Sequence, residues 1–190
     1  MSTLHRIVRI IFSPQEEWQT IAQEKTSVDV LVRRWVLPLA FLTPIATWIG
    51  MKVFDASWDA EAGYLVPAGD IFSAAATTLF AGIISLLVLA GIFVWVAPMY
   101  GGKPDYRTAL QVSVYGAIPL LVAGGTLLLP VMVIVGIVGF CHTLYLYWLG
   151  AKHVFHLRSD SLAEFVGISL LLLSICSTFI GAAASSIGLF

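Results

Sequence analysis

Long apolar runs without charge alternate along the chain with short polar segments. Residues 108–151, for example, contain no Asp, Glu, Lys or Arg. A helix that crosses a hydrocarbon core about 30 Å thick needs about 20 apolar residues, so this run is long enough for two crossings. The pattern predicts an all-α integral membrane protein.

The apolar runs predict five membrane spans, joined by short polar connections. They cover about residues 35–54, 71–99, 109–129, 131–150 and 162–186. Residues 1–34 precede them as an amphipathic, interfacial segment on the cytoplasmic side, and residues 35–190 form the transmembrane domain. The predicted fold is therefore a polytopic five-helix bundle with a short amphipathic N-terminal segment. The connection between the third and fourth spans is so short that this pair is also compatible with a re-entrant hairpin.

Positive charges predict the orientation of the bundle. Of the 10 Lys and Arg residues, all except Lys52 fall in the segments on the side of the N-terminus. Cytoplasmic loops carry such an excess of Lys and Arg. We therefore expect a cytoplasmic N-terminus and a periplasmic or otherwise extracytoplasmic C-terminus. The net charge of −1 argues against a nucleic-acid partner.

The first apolar residues have helical spacing. Between Leu4 and Phe12 they recur at i, i+3, i+4 and i+7, whereas Arg6 and Arg9 project elsewhere. A short basic amphipathic helix of this kind binds an anionic membrane surface. Docking of the same helix on the bundle is the alternative interpretation.

A second helix is predicted directly afterwards. Ser13 has the character of an N-cap, Pro14 occupies the first helical position and Glu16 completes a capping box, with the helix continuing to about residue 24. Trp18 is expected at the headgroup level, because Trp favours membrane interfaces. The helix either anchors the chain or offers a cytoplasmic partner three polar side chains that are predicted to be exposed: Glu16, Glu17 and Gln23.

Polar residues within the spans suggest a function in transport. His142 is the one ionisable residue deep inside a predicted span, Thr143 follows it, and Thr178 lies in the fifth span. Intramembrane ionisable residues often mark transport or proton pathways. The alternative to a role in protein interaction is therefore a small-solute or proton-linked transporter or channel, with a polar path near His142. In the purely structural interpretation, His142 is hydrogen-bonded within the bundle.

Sequence signatures of catalysis are missing. The chain has no nucleophile elbow, phosphate-binding glycine loop, paired carboxylate set or zinc-ligand spacing. We expect a non-enzymatic protein with no catalytic site, cofactor or metal. Its expected partners are the lipid bilayer and either a second copy or other membrane proteins, and no small-molecule ligand is identified.

Several short motifs follow one another in a characteristic order. They are Phe12-Ser13-Pro14, Glu17-Trp18, Tyr115-Gly116-Ala117-Ile118-Pro119, Val135-Gly136-Ile137-Val138-Gly139 and Tyr145-Leu146-Tyr147-Trp148-Leu149-Gly150. With these motifs the chain resembles the bacterial branch of the Yip (Ypt/Rab-interacting protein) family, of the YohC inner-membrane type. The resemblance covers most of the chain.

The resemblance implies a multi-pass protein of the bacterial cytoplasmic (inner) membrane. Eukaryotic members of the family bind lipidated GTPases and one another, which implies a role in interaction between membrane proteins or in membrane organisation. The candidate motif or interaction residues that it implies are Phe12, Ser13, Pro14, Trp18, Tyr115, Gly116 and Pro119.

Overall fold

The computed structural model describes residues 3–42, 44–46, 71–124 and 133–186, and every regular element in these ranges is helical. The helices are α1 (Thr3–Phe12), α2 (Pro14–Gln23), α3 (Val28–Leu31), α4 (Leu37–Ala40), α5 (Ile71–Val96), α6 (Tyr106–Gly116), α7 (Ile118–Gly124), α8 (Val133–His153) and α9 (Leu162–Ser186). A π-helical turn, Val32–Val36, joins α3 to α4, and a 3₁₀ turn, Ala97–Tyr100, extends α5. The predicted all-α class is confirmed for the described part of the chain.

Three helices in the described ranges are long and apolar enough to cross a membrane. They cover Leu79–Tyr100, Ile134–His153 and Leu162–Ile180, which match the second, fourth and fifth predicted spans. The first predicted span begins in the π-helical turn and α4, but residues 47–54 of it lie outside the described residues. The chain is thus a multi-pass helical protein, with a matching long helix for three of the five predicted spans.

The third predicted span, residues 109–129, is not one continuous helix. Its described part is divided between α6 and α7, which meet at Ala117. Pro119 has no N–H and its ring crowds the preceding helical turn, so a break is expected at this point. The backbone N–H of Leu120 instead donates to Thr143 Oγ1 on α8, at 3.2 Å. Residues 125–129 of this prediction lie outside the described residues.

Helix α6 lies at the centre of the bundle. Residues 109–116 are all buried, and the helix packs against α3, α5 and α8. Its Ser113 donates from Oγ to the Leu86 carbonyl on α5 at 2.7 Å, and the Tyr147 hydroxyl on α8 donates to the Ser113 carbonyl at 3.3 Å. These bonds satisfy polar groups that have no access to water. The segment around the Tyr115 motif is therefore interior.

The N-terminal helices and two interhelical loops meet at one end of the bundle. Trp18 of α2 packs on Gly150, close to the end of α8, where an added Cβ would lie 3.0 Å from Trp18 Cη2. In the loop after α5, a Cβ on Gly102 would lie 3.3 Å from the Phe155 carbonyl in the loop after α8. Segments that the charge pattern assigns to one side of the membrane are thus neighbours in space. We call this region the N-terminal end.

Candidate functional site

Helix α2 begins where the sequence predicts. Pro14 is its first residue and Ser13 its N-cap position, but the Ser13 side chain makes no capping hydrogen bond, so the predicted capping box is wrong. In a capping box the Glu16 carboxylate would accept from the Ser13 N–H, but this N–H donates instead to the Arg9 carbonyl at 2.7 Å. Helix α1 therefore runs almost directly into α2, and Glu16 turns towards Arg9, at 3.9 Å.

A cluster of charged side chains around the buried Arg6 and Glu17 joins these two helices to the bundle. We call it the Arg6 cluster: Arg6, Arg9, Glu17, Glu24 and Tyr115. Arg6 Nε lies 3.1 Å from Glu17 Oε1, and its two Nη atoms both donate to the Glu24 carboxylate. Arg9 Nε holds the second oxygen of Glu17 at 2.8 Å. The Arg6 guanidinium also lies over the ring of Tyr115 on α6, 5.6 Å from its centroid.

The burial of this cluster overturns two expectations. Arg6 is only 6% exposed and Glu17 is 0% exposed, although Arg6 was expected on the polar face and Glu17 on an exposed docking surface. Burial of a charge is tolerated when the charge is paired, and here each buried charge has an opposite partner within 3.1 Å. The cluster attaches α1 to α2 and, through Tyr115, to α6.

Arg6 and Glu24 both stay charged at neutral pH. The hydrogen bond from Arg6 lowers the pKa of the Glu24 carboxyl below its ordinary value. The same bond raises the pKa of the Arg6 guanidinium further above its already high value. Proton exchange near neutral pH therefore does not change the charge of this pair.

Trp18 is a core residue and not an interfacial anchor. Its side chain is 0% exposed, so the indole packs on the protein and does not face the lipid headgroups. The indole fits against Gly150 and Val112, which lie next to each other across the α8–α6 contact. Because Gly150 has no side chain, α8 leaves a recess that the large indole occupies. Ile21, one helical turn further along α2, is buried beside it.

Helix α1 has two faces with different environments. Ile10 and Arg6 face the bundle and are buried, so docking on the bundle, the alternative interpretation, is observed. Leu4, Val8 and Phe12, spaced four residues apart on another face, are 75%, 47% and 79% exposed. We call these three residues the α1 apolar face. It is the part of the predicted amphipathic helix that remains available for a membrane surface or a partner.

The motif residues of α6 and α7 lie at close helix contacts. The ring of Tyr115 meets that of Trp35 edge to face, with centroids 5.0 Å apart. Gly116 lies against the ring of Tyr147. Pro119 lies opposite Gly139, where an added Cβ would be 3.0 Å from the proline carbonyl oxygen. Small residues permit such close backbone approach between membrane helices.

A cavity of about 250 Å³ lies beside the Arg6 cluster. Its wall includes Arg34 and Trp35 of the π-helical turn, and Arg34 Nε donates to Thr3 Oγ1 on α1 at 3.2 Å. Sequence reasoning missed this cavity, because its walls come from α1, the α2–α3 connection, α3 with the π-helical turn, and α6, and no local spacing relates these segments. The lining residues are Arg6, Glu24, Thr26, Val30, Arg34, Trp35 and Tyr115.

The predicted intramembrane polar residues have separate environments. His142 Nε2 is buried and lacks a hydrogen-bond partner among the described residues, and its ring lies 6.0 Å from that of Tyr145. Thr143 accepts the hydrogen bond from α7 already described, and Thr178, which is exposed, donates to the Ser174 carbonyl of its own helix at 3.0 Å. Both hydroxyls thus interact with backbone groups. This arrangement does not favour the transporter alternative.

Known proteins resemble this chain over most of its length. The inner membrane protein YohC of Escherichia coli strain K12 is 24% identical over 162 residues, which are 83% of this chain and 82% of that protein. YohC of Escherichia coli O6:H1 (strain CFT073) matches to the same extent. No solved structure matches. The family model of the Yip1 domain matches residues 8–181, which include α2 and the three long helices. The chain therefore belongs to the Yip1 domain family.

Proposed function

We propose that this protein is a non-enzymatic component of a bacterial inner membrane that associates with other membrane proteins, or with a second copy of itself, and so contributes to membrane organisation. The observation behind the proposal is the α1 apolar face. It is exposed on a helix whose opposite face is attached to the bundle. Contiguous exposed apolar patches mark sites of interaction with proteins or membranes.

The attachment of α1 and α2 supports a binding role, because it holds the apolar face in position before any partner arrives. Arg6 binds both Glu17 and Glu24, and Trp18 fills the recess at Gly150. In addition, Gln111 Nε2 on α6 donates to the Glu24 carbonyl at 3.4 Å. A surface that is already ordered loses less conformational entropy on binding.

A non-enzymatic role agrees with the environment of the buried acid. Glu17 is the fully buried carboxylate among the described residues, and guanidiniums hold both of its oxygens. Because both oxygens face guanidinium groups within 3.1 Å, this carboxylate is engaged in holding α1 against α2. The group is therefore assigned to attachment of the helices.

The orientation proposed is a cytoplasmic N-terminus and a C-terminus on the opposite side. It is supported by the excess of Lys and Arg in the segments that meet at the N-terminal end. A membrane-impermeant maleimide tests this orientation on a Ser159→Cys variant that lacks the two native cysteines. Residue 159 lies in the loop between α8 and α9, which is expected on the cytoplasmic side. Labelling of this loop in intact cells would reverse the assignment.

Site-specific photo-crosslinking in native membranes tests the interaction. A photoreactive amino acid at Phe12, on the α1 apolar face, is compared with the same amino acid at Glu16, whose side chain is exposed to the same degree but polar. We expect protein adducts, to another membrane protein or to a second copy, at Phe12 in clear excess over Glu16. Adducts to lipid alone at Phe12, together with a monomer after extraction into native lipid discs, would contradict the proposal.

A further inference from the structure

The cavity beside the Arg6 cluster combines cationic, hydroxyl and aromatic groups at one place. We call it the Arg34 pocket. Its volume of about 250 Å³ is slightly smaller than the sites of roughly 300–1,000 Å³ that hold drug-sized ligands. A ligand of headgroup size fits this volume better than a larger metabolite.

The lining of the Arg34 pocket contains two guanidinium groups and one carboxylate, a composition that favours an anion over a cation. Glu24 also lines it, but the carboxylate is bound through both oxygens by Arg6, so the two charges offset each other. Arg34 contributes a further guanidinium to the wall, and its Nε is oriented by Thr3 Oγ1. Guanidinium groups bind phosphate oxygens in a fixed geometry with two donors. Thr26 and Tyr115 add hydroxyl groups to the same wall.

The position along the chain relates the Arg34 pocket to the membrane surface. Val30 and Arg34 directly precede Trp35, where the first predicted span begins, and Trp35 itself forms part of the wall. Residues just outside a span lie at the level of the lipid headgroups. Helix α1 contributes Arg6 to the wall of this pocket and carries its exposed apolar face on the opposite side of the helix.

From these observations we propose that the Arg34 pocket binds the phosphate group of an anionic phospholipid headgroup. Basic pockets beside membrane helices recognise such headgroups through their phosphates. The site goes beyond the protein association proposed above and does not depend on it. A bound lipid would join the N-terminal helices to the leaflet through a specific contact.

Lipid binding to variants of the full chain tests this inference. The protein is held in phosphatidylcholine discs and titrated with short-chain phosphatidylglycerol, with binding read by native mass spectrometry. We expect Arg34→Gln to weaken binding at least about tenfold, the size of one lost charge-assisted hydrogen bond. Arg33→Gln is the matched control, since Arg33 has the same charge and lies in the same turn, but pairs with Asp29 at 2.8 Å and is not in the pocket wall.

A second variant keeps the test independent of Arg34 and of its effect on folding. Val30→Trp fills the Arg34 pocket from a half-exposed position without removing a charge, and we expect it to weaken binding to a similar degree. An equal loss in Arg33→Gln and Arg34→Gln, or equal binding of short-chain phosphatidylcholine, would overturn the inference. Binding of inorganic phosphate without binding of the lipid would overturn the assignment to a headgroup.

Discussion

Substitution of Arg6 by Met tests whether the buried charges hold the N-terminal helices in place. The Met side chain retains much of the apolar stem but leaves the 0% exposed Glu17 with a single cationic partner, Arg9. Loss of one partner from a buried ion pair costs about 3–5 kcal/mol. We take the lower end, about 3 kcal/mol, because Arg9 remains and because Glu24, with a side chain 33% exposed, can be hydrated. The free energy for opening α1 and α2 should fall by this amount.

Hydrogen exchange of the α1 and α2 amides in lipid discs measures this free energy. A loss of about 3 kcal/mol lowers their protection by roughly 100-fold, whereas the amides of α8 should be unaffected. Arg33→Met is the control, because it breaks an exposed ion pair with Asp29 that contributes less than about 1 kcal/mol. Adding Glu17→Met to Arg6→Met should restore much of the protection, since it removes the buried carboxylate oxygen that Arg6 no longer pairs with. A change below tenfold in Arg6→Met would refute the assigned role of the cluster.

Two further predictions concern the same attachment. Gly150→Ala should lower the melting temperature in detergent, because its Cβ would lie 2.7 Å from Val112 Cγ1 and overpacking costs about 1–3 kcal/mol. Gly167→Ala is the control and should be neutral, since nothing lies within 4 Å of the added Cβ. Equal shifts of the melting temperature in the two variants would contradict the packing argument. The lowered pKa of Glu24 means that its ionised form stabilises the fold above its ordinary pKa of 4.5, and that this contribution is lost as the pH falls through the lower folded value. Protection of the α2 amides against hydrogen exchange should therefore be constant from neutral pH to about pH 5 and fall in more acidic buffer. Glu24→Gln should reduce this loss of protection in acid. An unchanged dependence of protection on pH in this variant would exclude Glu24 as its source.

The apolar pattern predicts the long helices well, because a membrane span depends on length and composition alone. Helices α5, α8 and α9 lie close to their predicted limits, and the break near Pro119 follows from the missing N–H of proline. The start of α2 at Pro14 is likewise a local property. These features need no knowledge of the neighbouring helices.

The environments of Arg6, Glu17 and Trp18 could not be predicted in the same way. Helical periodicity shows which residues share a face, but not whether that face meets lipid, water or another helix. Arg6 and Glu24 are separated by 18 positions in the sequence, and Trp18 meets its recess on α8 only because Gly150 lies there in the folded protein. The family resemblance pointed to Trp18, Tyr115 and Gly116 as important residues, but their role in close packing required the three-dimensional contacts.

The π-helical turn at Val32–Val36 sets the rotational phase of the helix that follows it. The Leu37 N–H bonds to the Val32 carbonyl, five residues earlier, so the turn contains one residue more than an α-helical turn would. Each residue of an α-helix corresponds to a rotation of about 100°. Deletion of one residue here would either turn Trp35 away from Tyr115 or rotate α4 about its axis, so that different side chains of α4 would face the bundle. The extra residue thus lets one short stretch of chain direct Arg34 to the pocket and still present Trp35 to the centre of the bundle.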